Sequence, residues 1–153
     1  MLTALRDSIA TRLTGDTYYS TPIEIPVLTE SHGDIETAIR KRLQTAGILI
    51  FIFIPRVQPS PDLRYSLDVH LVLDIIERPR LNTSAHGTGK PGIDIGMHTY
   101  ASLAEWAPSE VWTPLEIQDL QQLDVDQPED EREDLTFVFR LIAKTHTVLT
   151  VTP

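Results

Sequence analysis

The sequence predicts an α+β fold, with one domain over residues 1–153 in which two to three helices cover one side of a single, mostly antiparallel β-sheet. The first observation is the segment 65–77, whose side chains alternate with the period of two that a half-buried strand requires. The second is the segment 48–54, which is apolar on both faces. The third is a set of amphipathic patterns with helical spacing. Together they predict helices packed on a sheet.

The composition supports one core and excludes several kinds of site. A chain of 153 residues with 41% hydrophobic content can build a single core. It contains no cysteine, which excludes disulfides and thiolate metal ligands. Its net charge of −9 argues against nucleic-acid binding, because phosphates are neutralised by Lys and Arg. The apolar run 48–54 is far shorter than the ~20 residues of a membrane helix, so no membrane partner is expected.

Three amphipathic patterns predict helices. The first covers residues 2–14 and is closed by Gly15. The second begins with Asp34, whose carboxylate can accept from free backbone N–H groups, and ends at Gly47. In the third helix one apolar stripe, with Leu103 and Trp106 beside it, is expected to face the sheet. The stripe consists of Ile93, Met97, Tyr100, Ala101 and Ala104.

The strands are predicted to form two hairpins. Segment 48–54, ended by Pro55, should pair with segment 65–77. A strand that is apolar on both faces needs cover on both, so its second face is expected to meet another sheet or a neighbouring subunit. Segment 111–125 is predicted to carry a bulge near Gln118 and to pair with 135–143.

Two further segments are expected at the margins of the sheet. Residues 23–28 suit an edge strand or an extended connection because they contain Pro26. Residues 144–153 are interpreted as a C-terminal arm, either a loose tail or a strand that adds to the sheet of another chain.

The segment 78–92 is predicted to be a flexible loop that packs no side chain into the core, because it is rich in Gly and Pro. Within it, HGTGKPG at 86–92 invites a phosphate-loop interpretation. That motif fails in detail, since Ser84 stands where the first Gly should be and Pro91 where Ser or Thr should hold magnesium. No nucleotide cofactor is expected.

The acidic segment 124–134 invites a calcium interpretation, but it lacks the Gly and Glu that an EF-hand needs at its sixth and twelfth positions. A solvated hairpin tip is preferred, and weak cation binding is left open. The histidines are scattered without a ligand pair of the metalloprotease type. We therefore expect no metal site.

Asp68, His70 and Asp74 share the polar column of the long strand. A histidine beside a carboxylate can act as a general base, but a surface or subunit-contact role is preferred for these residues. Trp106 and Trp112 bracket the end of the third helix and are expected either to anchor it on the sheet or to serve at an interface, where Trp is enriched.

The order of elements carries a resemblance. An N-terminal helix, a hydrophobic strand, a long alternating strand and a Gly-rich loop are followed by a helix ending in W-x-P at Trp106 and Pro108. An irregular strand, an acidic turn and a strand with an F-x-F motif at Phe137 and Phe139 complete the pattern. Over roughly residues 1–144 this resembles the tail terminator or tail completion proteins of tailed bacteriophages, including prophage-encoded relatives.

The resemblance implies a structural virion protein and not an enzyme. Such a subunit forms an oligomeric ring, typically a hexamer, that caps the tail tube and joins it to the head. Its expected partners are copies of itself, the tail tube and head-completion proteins. Its expected location is the host cytoplasm before assembly and the virion afterwards.

Ten residues are candidates for contacts with other subunits or partners. Four lie in the apolar strand, two in the loop 78–92, two are the tryptophans and two lie in the C-terminal arm. They are Ile48, Ile50, Phe51, Phe53, His86, Lys90, Trp106, Trp112, Val148 and Val151.

Three other functions are kept as alternatives. One is another head–tail connector or stopper component. The second is a small-ligand-binding or hydrolytic domain that uses Asp68, His70 and Asp74. The third is a regulatory binding domain that uses the arm 144–153 to add a strand to its partner.

Overall fold

The computed structural model describes residues 1–61, 66–84, 87–123 and 135–148. Five strands form one open sheet in the order β1-β2-β3-β5-β4, in which β1 is parallel to β2 and all other pairs are antiparallel. This confirms the α+β fold class with a mostly antiparallel sheet. In chain order the elements are α1 (Leu2–Thr14), β1 (Val27–Thr29), α2 (Ile35–Ala46), β2 (Ile48–Pro59), β3 (Ser66–Glu77), α3 (Pro79–Asn82), α4 (Gly92–Leu103), β4 (Glu116–Leu123) and β5 (Phe137–Val148).

The ends of the first two long helices follow local sequence signals. Helix α1 has the predicted bounds, with Gly15 at its C-terminal end. Asp34 caps α2 as predicted, because its Oδ1 accepts a hydrogen bond from the backbone N–H of Thr37 at 3.2 Å. Gly47 ends the helix with a left-handed φ of 71°.

The predicted hairpin of β2 and β3 is confirmed, but β2 is longer than expected. It continues through Pro55 to Pro59, so the prediction that Pro55 ends the strand is wrong. The register shifts between Phe53 and Arg56. This irregularity removes the proline from the regular ladder, where its missing N–H would otherwise cost a hydrogen bond.

The second hairpin, β4 with β5, is also confirmed, and its register shifts between Ile117 and Asp119 where the bulge was predicted. Strand β5 pairs with β3 along its whole length, from Phe137 opposite Glu77 to Val148 opposite Ser66. Residues 144–148 therefore belong to the chain's own sheet, and the prediction of a separate arm starting at 144 is wrong for them. Residues 149–153 lie outside the described part of the chain, as does the acidic segment 124–134.

Helices lie on both faces of the sheet, and not on one side only. Helices α1 and α4 pack with Ile48, Ile50 and Ile52 of β2 in the larger apolar cluster. Helix α2 covers Leu49 on the opposite face, where its Leu43 packs. The second apolar face of β2 is thus met in part by a helix of the same chain, where a second sheet or a neighbouring subunit was expected.

Helix α4 packs with the face opposite to the predicted one. Ile95, Thr99 and Leu103 are buried, whereas the predicted stripe is largely exposed. The reason is close approach at two glycines. A Cβ at Gly92 would lie 2.7 Å from the Phe139 ring, and one at Gly96 would lie 3.2 Å from Leu120 Cδ1. The helix therefore buries Ile95, Thr99 and Leu103 on the face where Gly92 and Gly96 allow the closest approach, and an apolar periodicity does not single out glycines.

The described residues of 78–92 differ from the predicted loop, because they include helix α3 and several buried groups. Asn82 is fully buried, and its Nδ2 donates to Glu77 Oε2 at 2.6 Å and to the carbonyl of Lys90 at 2.7 Å. The second oxygen of Glu77 accepts from the Gly92 N–H at 3.0 Å. The buried carboxylate of Glu77 thus holds the segment 78–92 at Asn82, near its start, and at Gly92, its last residue. His86 lies outside the described residues.

Replacing Asn82 with alanine tests this anchor. We expect Asn82→Ala to lower the free energy of unfolding by about 2 kcal/mol, because the buried carboxylate of Glu77 loses a donor. Thr83→Ala is the control, since Thr83 is exposed and its hydroxyl bonds only carbonyls of its own helix. Its expected change is within about 0.5 kcal/mol. Equal losses in urea unfolding of the two variants would contradict the anchor.

Candidate functional site

The polar column of β3 lies on the sheet face opposite α1 and α4, which we call the open face. Strand β5 brings further charged side chains beside it, because Asp74 pairs with Arg140, His70 with Lys144 and Asp68 with His146 in the antiparallel register. We call this set the charged row. It consists of Asp68, His70, Asp74, Arg140, Lys144 and His146.

Asp74 and Arg140 form the strongest ion pair of the charged row. Arg140 Nε and Nη2 each donate to a different oxygen of Asp74 at 2.8 Å. The carboxylate is buried, and hydrogen bonding to it raises the pKa of Arg140 above its ordinary value. The guanidinium also lies 5.7 Å from the centroid of the Phe53 ring. The pair joins the two central strands and leaves Asp74 engaged on both oxygens.

Asp68 is also engaged by side chains of β5. Its Oδ2 lies 3.3 Å from Lys144 Nζ, and its Oδ1 lies 3.3 Å from His146 Nδ1. In the part of the chain that the structure describes, no hydrogen bond joins His70 to Asp68 or Asp74, and the buried Nε2 of His70 has no partner. The three residues of the hydrolytic alternative therefore share a face without forming a base and its orienting carboxylate.

The candidate contact residues divide into core and surface. Ile48, Ile50 and Trp112 are buried in the chain's own core, so they are corrected from contact candidates to core residues. Phe51 and Phe53 are half-buried on the open face, and their rings stack with centroids 5.1 Å apart. Val148 is the last residue of β5, and Val151 lies outside the described residues.

Trp106 and Lys90 are partly exposed, and each has partners within the chain. The guanidinium of Arg12 lies 4.7 Å from the Trp106 ring centroid. The Nζ of Lys90 lies 4.0 Å from the ring centroid of Tyr18 and donates to the backbone carbonyls of Tyr18 and Thr21. The segment predicted to be a loop is thus tied to the turn after α1.

A second polar cluster was not predicted. His98 Nε2 lies 2.8 Å from Asp16 Oδ2, and the ring of Tyr18 stacks on His98 with centroids 3.7 Å apart. The hydrogen bond with His98, followed by that from the Tyr18 N–H, holds the pKa of Asp16 below its ordinary value of 3.8. Burial raises the pKa of Tyr18. In sequence His98 stands four residues after Asp94, and nothing in that spacing indicates a partner 82 positions away.

This cluster leads to a pH-dependent prediction. Because the pKa of Asp16 is lower in the folded state, its ionised form stabilises the fold above about pH 4, and this stabilisation is lost as the pH falls through the folded value. Asp16→Asn should therefore cost up to about 1 kcal/mol near neutral pH. The difference from the wild type should shrink towards about pH 2. The control is Glu110→Gln, at an exposed carboxylate outside this cluster. A pH-independent loss in Asp16→Asn would contradict this prediction.

Helix α4 presents an apolar surface to solvent. Ile93, Met97 and Tyr100 lie on one side of it and are 42%, 62% and 46% exposed. We call these three residues the α4 stripe. Contiguous exposed apolar surface on a small protein marks a contact site. The apolar pattern that predicted a buried face of this helix thus marks exposed residues, which are available to a partner.

The two edge strands of the sheet differ in exposure, because Leu28 and Thr29 of β1 are buried whereas most residues of β4 are exposed. Beside β1 runs a groove of about 610 Å³. Its lining residues are Ile23, Glu24, Pro26, Val27, Leu28, His32, Arg42, Thr45 and Ala46. At the opposite edge, the described residues bond to β4 on the β5 side alone, and Glu116 and Asp119 of β4 are exposed.

Comparison with known proteins does not assign the chain to a family. No known protein-family description matches it, and no curated protein is significantly similar in sequence. Among the described residues, no group of three or more His, Asp or Glu side chains is placed to hold a metal ion. No helix in the described ranges has the length and apolar character needed to cross a membrane.

Proposed function

We propose that this chain is a structural subunit of a tailed bacteriophage or a prophage, of the tail terminator or tail completion type. In this role it forms an oligomeric ring at the head-proximal end of the tail. The resemblance in the order of elements supports the proposal, and the α+β fold is compatible with it. Another connector or stopper component is the nearest alternative, because it needs the same kind of assembling subunit.

The α4 stripe is the observation that carries the proposal. Burying a fully exposed apolar side chain contributes about 1.5–3 kcal/mol, and about half of that is available to each of these half-exposed side chains, so the three on one helix face still favour association. The ion pairs of the charged row support a structural role. Asp68 and Asp74 are already engaged with Lys144 and Arg140 of β5, which is typical of carboxylates that hold strands together. No observation specifically favours the hydrolytic alternative.

Deleting the reading frame from the phage or prophage that carries it tests the role. We expect heads and tails that fail to join, and the intact gene supplied separately should restore whole virions. Whole, infectious virions without the protein would contradict the proposed function.

Polar substitution of the α4 stripe tests the surface. In Met97→Ser combined with Tyr100→Ser, the free energy of unfolding should stay within about 1 kcal/mol of the wild type, because both side chains are exposed. The variant should nevertheless fail to restore virions in the deletion strain. Asp94→Asn, on the same helix and also exposed, is the control that should restore them. Normal virion yield from the double variant would contradict a role for the stripe.

A further inference from the structure

Opposite edges of the sheet carry exposed charges of opposite sign. On α2, beside β1, Lys41 and Arg42 are exposed and have no ion-pair partner among the described residues. On β4, Glu116 and Asp119 are exposed and likewise unpaired within the described ranges. We call the first pair, with the groove beside β1, the basic edge, and the second pair the acidic edge. On the same helix, Arg40 already has a partner, because its guanidinium lies 3.1 Å from the carboxylate of Glu36.

Both edges present their charges on the same face of the sheet. Glu116 and Asp119 pair with Lys144 and Ile142 in the register of β4 with β5, which places them on the open face. Helix α2 covers that same face at the other end of the sheet, over Leu49. If β4 of one copy is placed beside β1 of the next, its carboxylates come to the side on which Lys41 and Arg42 stand.

We infer that the basic edge of one copy binds the acidic edge of the next, with the edge strand β4 lying along the groove beside β1. This inference rests on the proposed function and names the surfaces that build its ring. The contact joins different surfaces of identical chains, which is the kind of contact that builds a ring when the rotation from copy to copy closes and an open filament when it does not. The outward backbone groups of β4 can supply hydrogen bonds, whereas on β1 the N–H and the carbonyl of Thr29 already bond to His32, so the charges carry most of the contact and select its direction.

Charge reversal at either edge should prevent assembly. The basic-edge variant is Lys41→Glu with Arg42→Glu, and the acidic-edge variant is Glu116→Arg with Asp119→Arg. Each places like charges across the contact, which should raise the concentration needed for half-assembly at least ~10-fold. Arg56→Glu reverses an exposed arginine that lies outside both edges and has no ion-pair partner in the described ranges, so this variant should assemble as the wild type does.

Mixing the two variants is the sharper test. In the basic-edge variant both edges are acidic, and in the acidic-edge variant both are basic. Neither should assemble alone, but an equal mixture should form a ring in which the two chains alternate, and light scattering would detect it. Raising the salt concentration should weaken the wild-type ring, because screened charges attract less.

Glu24 gives an independent test, because removing its charge should strengthen assembly where the charge reversals weaken it. It lines the groove without an ion-pair partner in the described chain, so an arriving acidic edge meets its negative charge. Glu24→Gln should therefore lower the concentration of half-assembly.

Two results would overturn the inference, and they separate it from the proposed function. If the wild type forms a ring and both charge-reversed variants form it equally well, the contact lies elsewhere and the assembly role stands. If the wild type is a monomer at every concentration, the inference and the ring of the proposed function both fail. Folding of each variant is checked by circular dichroism and thermal unfolding before its assembly is compared with that of the wild type.

Discussion

Gly47→Ala is expected to lower the free energy of unfolding by about 3–4 kcal/mol, from the combined cost of a left-handed backbone and of overpacking. Gly47 ends α2 and leads directly into β2 with φ of 71°. A Cβ there would lie 2.4 Å from the backbone nitrogen of Asn82 and 2.7 Å from the side chain of Leu81. Since Asn82 is itself held by Glu77, its backbone has little freedom to move away.

Gly33→Ala is the matched control for this prediction. Gly33 has nearly the same φ, 73°, but nothing lies within 4 Å of the position of its added Cβ. We expect a loss of only about 1 kcal/mol, which is the cost of the left-handed conformation alone. Urea unfolding of both variants separates the steric cost from the conformational one. Equal losses would contradict the close contact between the end of α2 and α3.

Arg140→Ala is expected to lower the free energy of unfolding by about 3 kcal/mol, because it leaves the buried carboxylate of Asp74 without its cation. Arg140 supplies both hydrogen bonds to that carboxylate, and its side chain is one-third exposed, which moderates the loss. Lys144→Ala should cost less, about 1 kcal/mol, because Asp68 keeps His146 as a partner.

The double variant Asp74→Val with Arg140→Val distinguishes loss of the ion pair from loss of packing. Apolar β-branched residues replace both charges on a face that already carries Val72 and Phe53, so stability should return to within about 1 kcal/mol of the wild type. If the double variant is as unstable as Arg140→Ala, the cost does not come from the unpaired carboxylate.

Elements with local signals were predicted well. Asp34 and Gly47 mark the ends of α2 because a cap and a left-handed residue act on their own neighbours. Alternating side chains predicted the hairpin of β2 and β3, because two strands that follow each other in the chain can pair directly through the connection between them. The bulge in β4 was also visible as a break in phase near Gln118.

Features that depend on distant packing were not predicted. Gly92 and Gly96, which lack a Cβ, decide which face of α4 meets the sheet, and hydrophobic periodicity gives glycine no weight. The partners Asp16 and His98 are brought together only by the tertiary fold. In the charged row, the polar column of β3 was recognised, but its cations on β5 were not, because the register of β3 with β5 joins segments far apart in sequence.

The native mass of the purified chain tests the central claim most directly. Static light scattering across a wide concentration range should show a discrete species several times the 17.2 kDa mass of the chain, in equilibrium with smaller forms. Such a species would mean that the chain assembles with copies of itself, and the charge-reversed variants then tell which surfaces make the contact. A single 17.2 kDa particle at every concentration would contradict the account.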